Sequence, residues 1–300
     1  MLSGVRGIQG GAVSFAEVTS TGNLPFTQEE RVSAAEKFER LKLILREMES
    51  VLVAFSAGVD STFLLNSAYD VLGDKAAALT ATSPTYPEHE FKEACALAAS
   101  IGAAHVVVES NELEIPNFSA NSANRCYYCK GELFKIAIAK ASSMGQRCVA
   151  DGSNADDLND YRPGKTAAIE LGVRSPLQDV GLTKREIRLL SKDMGLPTWD
   201  KPSLACLSSR FPYGTEITGP RLEIVGKGEA LLRGLGFKQF RVRYHGDTAR
   251  IEADAADFHR FLDADLREGI IAGFKEIGFV YVTLDLQGYR TGSMNEALRP

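Results

Sequence analysis

The fold is decided by the stretch VLVAFSAGVDST, which runs from Val51 to Thr62. The opening residues are apolar and include valines, which is typical of a buried strand. Small and polar residues, Ser56 to Ser61, then separate this strand from a helix predicted to start near Ser61. At the carboxyl end of a buried parallel strand, such a loop lets backbone N–H groups approach an anion, and the following helix adds its positive end. The stretch therefore predicts a phosphate-binding loop.

Outward from this loop, strand and helix patterns alternate. Further apolar runs at 76–82, 105–108 and 147–150 predict strands, with helical patterns at 62–72, 87–101 and 130–143. Strands that alternate with helices are typical of a parallel sheet with crossover connections. The predicted fold class is α/β, with a parallel sheet flanked by helices.

The chain is predicted to divide into two domains. Residues 27–197 form the nucleotide-binding domain, which begins with a helix capped by the box Thr27-Gln28-Glu29-Glu30. In residues 198–285 the order of helix and strand patterns is different, and it predicts a smaller α+β domain of split-βαβ type. Residues 1–26 are interpreted as a flexible extension, and residues 286–300 as a loose tail.

Composition excludes several classes of protein. The chain has 300 residues, 44% of them hydrophobic, and a formal net charge of −5. These values indicate a folded chain without the positive field of a nucleic-acid coat protein. The absence of a signal-peptide pattern and of an apolar run of about 18 residues favours a cytoplasmic location and no membrane partner.

The loop after the first strand has a recognisable signature. It lacks the Gly-Lys-Ser/Thr of a Walker loop and resembles the PP-loop, Ser-Gly-Gly-x-Asp-Ser, of the ATP pyrophosphatase superfamily, whose members cleave ATP between the α and β phosphates. Alanine replaces the usual first glycine, so the match predicts that Ala57 needs no positive φ. The competing interpretation is a plain strand-to-helix turn with a capping residue. The resemblance implies that ATP is bound by Ser56, Ala57, Gly58, Asp60 and Ser61.

An acidic loop, DGSNADD, follows the fourth predicted strand at residues 151–157. It falls on the same sheet edge as the PP-loop. Clustered carboxylates beside a triphosphate favour Mg²⁺, so Asp156 and Asp157 are candidate magnesium ligands and Asp151 a candidate nucleotide contact. Without the PP-loop, the same residues would predict a solvated turn.

Three of the five cysteines form a pattern. Cys126 and Cys129 make a C-x₂-C pair, and Cys206 lies in the segment ACLSSRFPYG. Three thiolates without an evident fourth ligand favour an iron–sulfur cluster with one open iron over structural zinc. An inert or redox-active pair, and a nucleophilic Cys206 between Lys201 and Arg210, stay open as alternatives.

Four motifs together resemble the LarE family of ATP-dependent sulfur transferases. They are the PP-loop, the DGSNADD loop, Asp160-Tyr161-Arg162-Pro163-Gly164 and the Cys206 segment, and the resemblance covers about residues 27–285. It implies an enzyme that adenylates a carboxylate of a pyridinium mononucleotide, the precursor of a nickel-pincer cofactor, with pyrophosphate as leaving group. Sulfur then displaces AMP.

The resemblance implies two sources of sulfur. In one, the cysteine matching Cys206 attacks and is converted to dehydroalanine. In the other, Cys126, Cys129 and Cys206 hold a [4Fe-4S] cluster that carries an extra sulfide, and the presence of all three here favours the cluster. The residues expected in catalysis are Cys206, Asp60 and Ser61, with Arg162 in the nucleotide site. Substrate contacts are expected from Ser209, Arg210, Glu223, Arg241, Arg243 and Glu252.

Three other functions compete with this interpretation. A PP-loop tRNA sulfurtransferase would also use cluster cysteines, but it needs a basic face or an RNA-binding domain. An amidating PP-loop ligase would not explain the cysteines, and a non-catalytic nucleotide-binding protein would not explain the acidic loop. The expected partners are a small nucleotide substrate, a sulfur-donor protein and a second copy of the chain, and nucleic acid is disfavoured.

Overall fold

The computed structural model describes residues 26–159, 163–202, 205–290 and 292–298. The predicted extension therefore lies, except for Phe26, outside the described residues, as does Arg162. The strands are β1 (Val51–Ala54), β2 (Ala76–Thr82), β3 (Ala104–Glu109), β4 (Cys148–Ala150), β5 (Phe240–His245), β6 (Thr248–Ala253) and β7 (Tyr281–Leu284). The helices are α1 (Gln28–Met48), α2 (Val59–Leu72), α3 (Glu88–Ile101), α4 (Pro116–Ser119), α5 (Arg125–Ser143), α6 (Pro163–Glu170), α7 (Pro176–Asp179), α8 (Lys184–Asp193), α9 (Gly219–Gly234) and α10 (Ala264–Ile277).

The first sheet has the strand order β3-β2-β1-β4, and all of its pairings are parallel. The chain moves outward from β1 to β3 and then returns to place β4 on the other side of β1. The loops after β1 and β4 therefore lie side by side at the carboxyl edge, the position where open α/β sheets bind ligands. The predicted α/β fold is confirmed.

Both faces of this sheet are covered. One core contains buried side chains of α1, α2, α3 and α8 against β1 and β2, among them Leu41, Phe63 and Ile187. On the opposite face, Phe134 and Ala137 of α5 pack against Leu52 of β1. Burial on both faces explains why the strands consist almost entirely of apolar residues.

The second sheet differs from the prediction in one respect. Strands β5 and β6 pair antiparallel, whereas β6 and β7 pair parallel and are joined through α10. Since β6 and β7 are direct neighbours, no strand separates them and the split-βαβ prediction is wrong, although the smaller α+β unit is confirmed. Its core includes Phe237, Val242 and Phe274.

The predicted loose tail packs against this second sheet. The amide of Tyr289 donates to the carbonyl oxygen of Ala253 at 2.8 Å, and the Ser293 hydroxyl contacts Arg243 at 2.8 Å and Glu252 at 3.3 Å. The prediction is therefore wrong for these residues, because the segment supplies partners to buried charges that the sheet alone does not satisfy.

A fourth apolar cluster joins the two parts of the chain. Phe118 of α4 packs with Leu207, Phe211 and Leu222. The segment that carries Cys206 is thereby enclosed between the first domain and α9. Within the described residues, no helix is long and apolar enough to cross a membrane.

Candidate functional site: a phosphate-binding loop and three thiols

The PP-loop turns sharply between β1 and α2. Ala57 has a φ of 55°, in the left-handed region, so the expectation that this alanine avoids positive φ is wrong. Its side chain is fully buried, and its carbonyl oxygen accepts a hydrogen bond from Lys201 Nζ at 3.1 Å. These contacts hold a conformation that costs an alanine about 1–2 kcal/mol, which explains why related loops carry glycine there.

Two serines close the loop. The Ser61 hydroxyl accepts a hydrogen bond from the Ser56 amide at 3.3 Å and lies 3.2 Å from the Ser56 hydroxyl. Gly58 is the N-cap of α2 and makes no side-chain cap hydrogen bond. Within the described ranges, then, no side chain caps the first N–H groups of α2, and they can bind an anion, which the helix dipole also favours.

The loop after β4 contacts the PP-loop directly at Gly152. A Cβ atom at this position would lie 3.0 Å from the Ser61 amide nitrogen, so the approach requires glycine. The neighbouring Asp151 carboxylate accepts hydrogen bonds from the Ser153 hydroxyl at 2.8 Å and the Ser175 hydroxyl at 2.7 Å. Asp151 thus shapes the loop beside the nucleotide site, and its direct contact with nucleotide stays a prediction.

Asp60 and Lys184 form the main ion pair at this edge. The Lys184 ammonium group contacts Asp60 Oδ2, and Asn154 Nδ2 donates to Asp60 Oδ1 at 3.4 Å. Lys184 is the first residue of α8, after the capping box of Thr183 and Glu186. The sequence analysis missed Lys184; its capping box marks a helix start but gives no sign of the distant Asp60.

The two carboxylates predicted to bind magnesium have protein partners. Asp157 Oδ2 accepts a hydrogen bond from the Asn154 amide at 3.0 Å, and Asp156 Oδ2 accepts one from the Lys184 amide at 2.8 Å. Both therefore stabilise the loop between β4 and α6 and its contact with α8. Their role as magnesium ligands stays a prediction.

The three candidate cluster cysteines lie near one another. Helix α5 begins at Arg125 rather than near residue 130, so Cys126 and Cys129 lie one turn apart on one helix face. Cys206 directly precedes a short 3₁₀ turn, and both it and Cys126 are exposed. Although Cys126 is exposed as a residue, neighbouring atoms shield its thiol from water; this desolvation raises the pKa of Cys126, as it does that of Cys129, and in each case the nearby Cys206 thiol raises it further. Cys206 is therefore close enough to interact electrostatically with both.

A ready-made metal cage is not seen. In the part of the chain that the structure describes, no group of three or more His, Cys, Asp or Glu side chains is arranged to hold a metal ion. Protonated thiols are expected before metal binds, because binding releases their protons. The three-cysteine ligand set stays a prediction.

The Cys206 segment is fastened to the PP-loop edge and to α9. The Leu207 amide donates to the Thr85 carbonyl at 3.1 Å, and the neighbouring Tyr86 hydroxyl donates to the Ser56 carbonyl at 3.3 Å. These contacts connect the residue after Cys206 to the first residue of the PP-loop. The Cys206 segment and the PP-loop are therefore connected through Thr85 and Tyr86.

Arg210 organises the same segment from within. Its guanidinium, 3% exposed, makes two hydrogen bonds to Glu229 at 2.6 and 3.0 Å and a third to the Cys206 carbonyl at 3.3 Å. The pKa of Glu229 is lowered: burial would raise it, but Arg210, Arg241 and the Val242 amide together outweigh burial. Arg210 is thus a structural cation, and Glu229 is a site residue that the sequence analysis missed.

The remaining predicted substrate residues form a second buried charge cluster. Arg243 donates to the Ser209 carbonyl at 2.8 Å and to Glu252 at 2.7 Å, while Arg241 lies over the Tyr289 ring. Burial lowers the pKa of Arg241. The structure therefore brings Arg241, Arg243 and Glu252 to the face of the small sheet opposite its apolar core, where Arg243 also contacts the Ser209 carbonyl.

Glu223 lies elsewhere. It is on the exposed face of α9, where its carboxylate pairs with Lys227 at 2.7 Å. The structure does not give Glu223 the buried surroundings of the other substrate candidates. On the same helix it is Glu229, six residues later, that faces Arg210, because the helical period turns that position inward.

The fold defines an α/β protein of PP-loop type, with Cys126, Cys129 and Cys206 as its candidate sulfur-bearing residues. No family model matches the sequence. A pyridinium-3,5-bisthiocarboxylic acid mononucleotide synthase of Lactiplantibacillus plantarum is 40% identical over 268 residues, which cover 88% of this chain and 95% of that protein. The chain belongs to the LarE family of sulfur transferases.

Two further relatives have no assigned activity. An uncharacterized protein of Synechocystis sp. is 48% identical over 263 residues, 87% of this chain and 98% of the relative. An uncharacterized protein of Methanocaldococcus jannaschii is 28% identical over 261 residues, 85% of this chain and 98% of its own length. Both matches extend across the PP-loop domain and the small domain together.

Proposed function

We propose that this protein activates a carboxylate of a pyridinium mononucleotide with ATP and replaces the AMP group with sulfur, which yields a thiocarboxylate. The observation that carries the proposal is the connection of Cys206 to the PP-loop through Thr85 and Tyr86. A sulfur-bearing group and an ATP-binding loop in one site are what such a reaction requires. The name of the Lactiplantibacillus relative, a pyridinium bisthiocarboxylic acid mononucleotide synthase, supports the substrate class.

In the activation step, the substrate carboxylate attacks the α-phosphorus and the bond to pyrophosphate breaks. The charge that accumulates on pyrophosphate needs fixed positive partners. The first N–H groups of α2 supply them from the loop, and Lys184 supplies a cation beside Asp60. Lys184 is 27% exposed, so it can turn from Asp60 toward a phosphate.

Magnesium would arrive with ATP. Asp60, Asp151, Asp156 and Asp157 all accept hydrogen bonds from protein groups, which fix these carboxylates around the loops. Magnesium is commonly bound through substrate phosphates with few protein ligands. No step of the proposal depends on a magnesium ion held by protein.

An iron–sulfur cluster fits the three thiols. Cys126 and Cys206 are exposed to an incoming ligand, Cys129 is one turn from Cys126, and all three influence one another electrostatically. These three residues would hold the cluster, and the group would supply an iron-bound sulfide as the nucleophile. The Arg210 hydrogen bonds to the Ala205 and Cys206 carbonyls hold Cys206 in position.

A second candidate uses the Cys206 sulfur itself. The exposure of Cys206, together with the lack of a preformed metal cage in the described residues, favours this alternative. The thiolate would attack the acyl-adenylate and AMP would leave; loss of the Cα proton of Cys206 would then expel the thiocarboxylate from Cβ and leave dehydroalanine. Each polypeptide would then react once.

One experiment distinguishes sulfur transfer from a cluster from sulfur transfer that consumes Cys206. Protein purified and reconstituted anaerobically is given ATP and a pyridinium carboxylate mononucleotide, with and without sulfide, and AMP, pyrophosphate, thiocarboxylate and the mass of Cys206 are measured. Turnover that requires iron and sulfide with an intact Cys206 supports the cluster. Dehydroalanine at 206 supports the sacrificial route, and no pyrophosphate release under any condition contradicts ATP activation.

The activation step is tested by Lys184→Ala. Because loss of one preorganised charge partner commonly lowers kcat about 10²-fold or more, pyrophosphate release is expected to fall by about that factor. Lys192→Ala is the matched control, since this exposed lysine lies on the same helix and contacts the Trp199 ring. Equal activities of the two variants would show that Lys184 has no role at the phosphates.

A further inference from the structure

A buried carboxylate lies directly beside the thiols and has no role in the proposal so far. Glu112 is 7% exposed and belongs to the short turn Glu112–Glu114 that packs against α5. Its Oε1 atom accepts hydrogen bonds from the Ser110 hydroxyl at 3.4 Å and from Cys129 Sγ at 3.8 Å. Its Oε2 atom is buried and has no hydrogen-bond partner within the described residues.

Burial of the Glu112 carboxylate with one oxygen unbonded costs free energy unless a cation is present. A carboxylate removed from water needs a hydrogen bond for each oxygen or a positive partner. One hydroxyl and one thiol are weak donors, and both serve the same oxygen. Glu112 Oε2 therefore lacks the partner that its burial requires. The same carboxylate contacts Cys129 through its other oxygen.

The surroundings are suited to an anionic metal centre. Arg125 and Lys130 are the sequence neighbours of Cys126 and Cys129 at the start of α5, so two cations accompany the thiols. Three thiolates and one carboxylate carry the same charge as the four thiolates of an ordinary cubane. Carboxylates are established metal ligands beside thiolates and imidazoles.

We propose that Glu112 is a fourth protein ligand of the metal centre on Cys126, Cys129 and Cys206, and that it occupies the iron which the cysteines leave open. This inference rests on the cluster form of the proposed function. A carboxylate is a weaker ligand for iron than a sulfide, so it can protect the open iron and then yield its place to the sulfur that the reaction consumes. No electron is transferred in that exchange.

The test compares Glu112→Gln with wild-type protein after anaerobic reconstitution. The amide keeps the size of the side chain and removes its charge. Iron and acid-labile sulfide per chain, the electron paramagnetic resonance spectrum of the reduced cluster and the rate of iron release to a chelator are measured. Loss of a ligand is expected to speed iron release about 10-fold or more and to change the spectrum. Glu114→Gln, an exposed residue of the same turn, is the control and is expected to match wild type.

A measurement on wild-type protein makes the test independent of how well the variant folds. In ⁵⁷Fe Mössbauer spectra, one iron with an oxygen ligand is expected to differ from three thiolate-bound irons, and sulfide is expected to remove the difference. Identical spectra and release rates for wild type and Glu112→Gln would overturn the inference and leave the cluster in place. Wild-type protein that assembles no cluster would overturn both the inference and the cluster form of the proposed function.

Discussion

At the scale of single residues, the PP-loop shows how a local strain is tolerated. Ala57 keeps a left-handed backbone because its methyl group is fully buried and its carbonyl is bonded to Lys201. Lys201 is in turn held by Glu90 at 2.9 Å and Glu93 at 2.7 Å. The loop conformation is thus imposed by side chains from α3 and from the segment that leads to Cys206.

This balance predicts a small effect for Ala57→Gly. Relief of the left-handed backbone gains about 1 kcal/mol, and loss of the buried methyl group costs about 0.8 kcal/mol. The free energy of unfolding in urea should therefore change by less than about 1 kcal/mol. Ala34→Gly removes an equally buried methyl from α1 without relieving strain and should be clearly more destabilising.

A second prediction at this scale concerns Gly152→Ala. The new methyl group would lie 3.0 Å from the Ser61 amide nitrogen, so the loop after β4 would have to move away from the PP-loop. We expect a loss of about 1–3 kcal/mol in unfolding free energy and weaker ATP binding by calorimetry. Gly131→Ala in α5, where a Cβ meets no atom within 4 Å, should instead be neutral or stabilising; the same loss in both variants would contradict the steric account.

At the scale of elements, α8 is fastened to α1 by one buried carboxylate. Glu186 accepts hydrogen bonds from Lys37 at 2.7 Å, Ser33 at 3.0 Å and Thr183 at 2.9 Å. Burial alone would raise its pKa, but these partners lower it below the ordinary value. The same helix positions Lys184 beside Asp60, so this contact supports the proposed nucleotide site.

The lowered pKa predicts a pH dependence with a definite sign. When folding lowers the pKa of a carboxylate, the group stabilises the fold at pH values above its pKa in the unfolded chain, which is about 4.3 for glutamate. This stabilisation is lost as the pH falls through the pKa of the folded state. Urea unfolding of wild type and Glu186→Gln should therefore differ at pH 7, and the difference should shrink as the pH falls below the unfolded pKa of glutamate. Glu88→Gln, which removes an exposed pair with Lys92, should change stability by less than about 1 kcal/mol at either pH.

At the scale of the whole molecule, the two parts of the chain meet where Cys206 lies. Arg210 joins this segment to Glu229 of α9. Asn121, at the end of α4, donates to the Pro212 carbonyl at 2.7 Å and so ties the same segment to the first domain. The position of the thiol relative to the PP-loop therefore depends on contacts from both domains.

Disruption of this junction should be costly. Removal of one partner of a buried ion pair typically costs about 3–5 kcal/mol, so Glu229→Ala should lower the unfolding free energy by about that amount. The matched control is Glu223→Ala on the exposed face of the same helix, expected within about 0.5 kcal/mol of wild type. Equal effects would mean that the burial of the Arg210–Glu229 pair does not contribute to stability.

Much of the fold could be predicted because its signals are local. The strand at Val51, the PP-loop and α2 are contiguous, so one short stretch contains the periodicities and the small residues that define them. The cysteine pair was visible for the same reason. The start of α5 was placed too late, because the first turn contains cysteines and tyrosines rather than strong helix formers.

The amino-acid order was sufficient for the α/β class, the PP-loop pattern and the C-x₂-C pair, since each depends on neighbours within one or two turns of chain. Tertiary structure alone decided that Lys184 faces Asp60, that Glu229 rather than Glu223 pairs with Arg210, and that Glu112 lies beside Cys129. These partners are 124, 19 and 17 residues apart. Pairing across such separations depends on packing of whole elements, because burial makes each charge require a partner that local sequence does not specify.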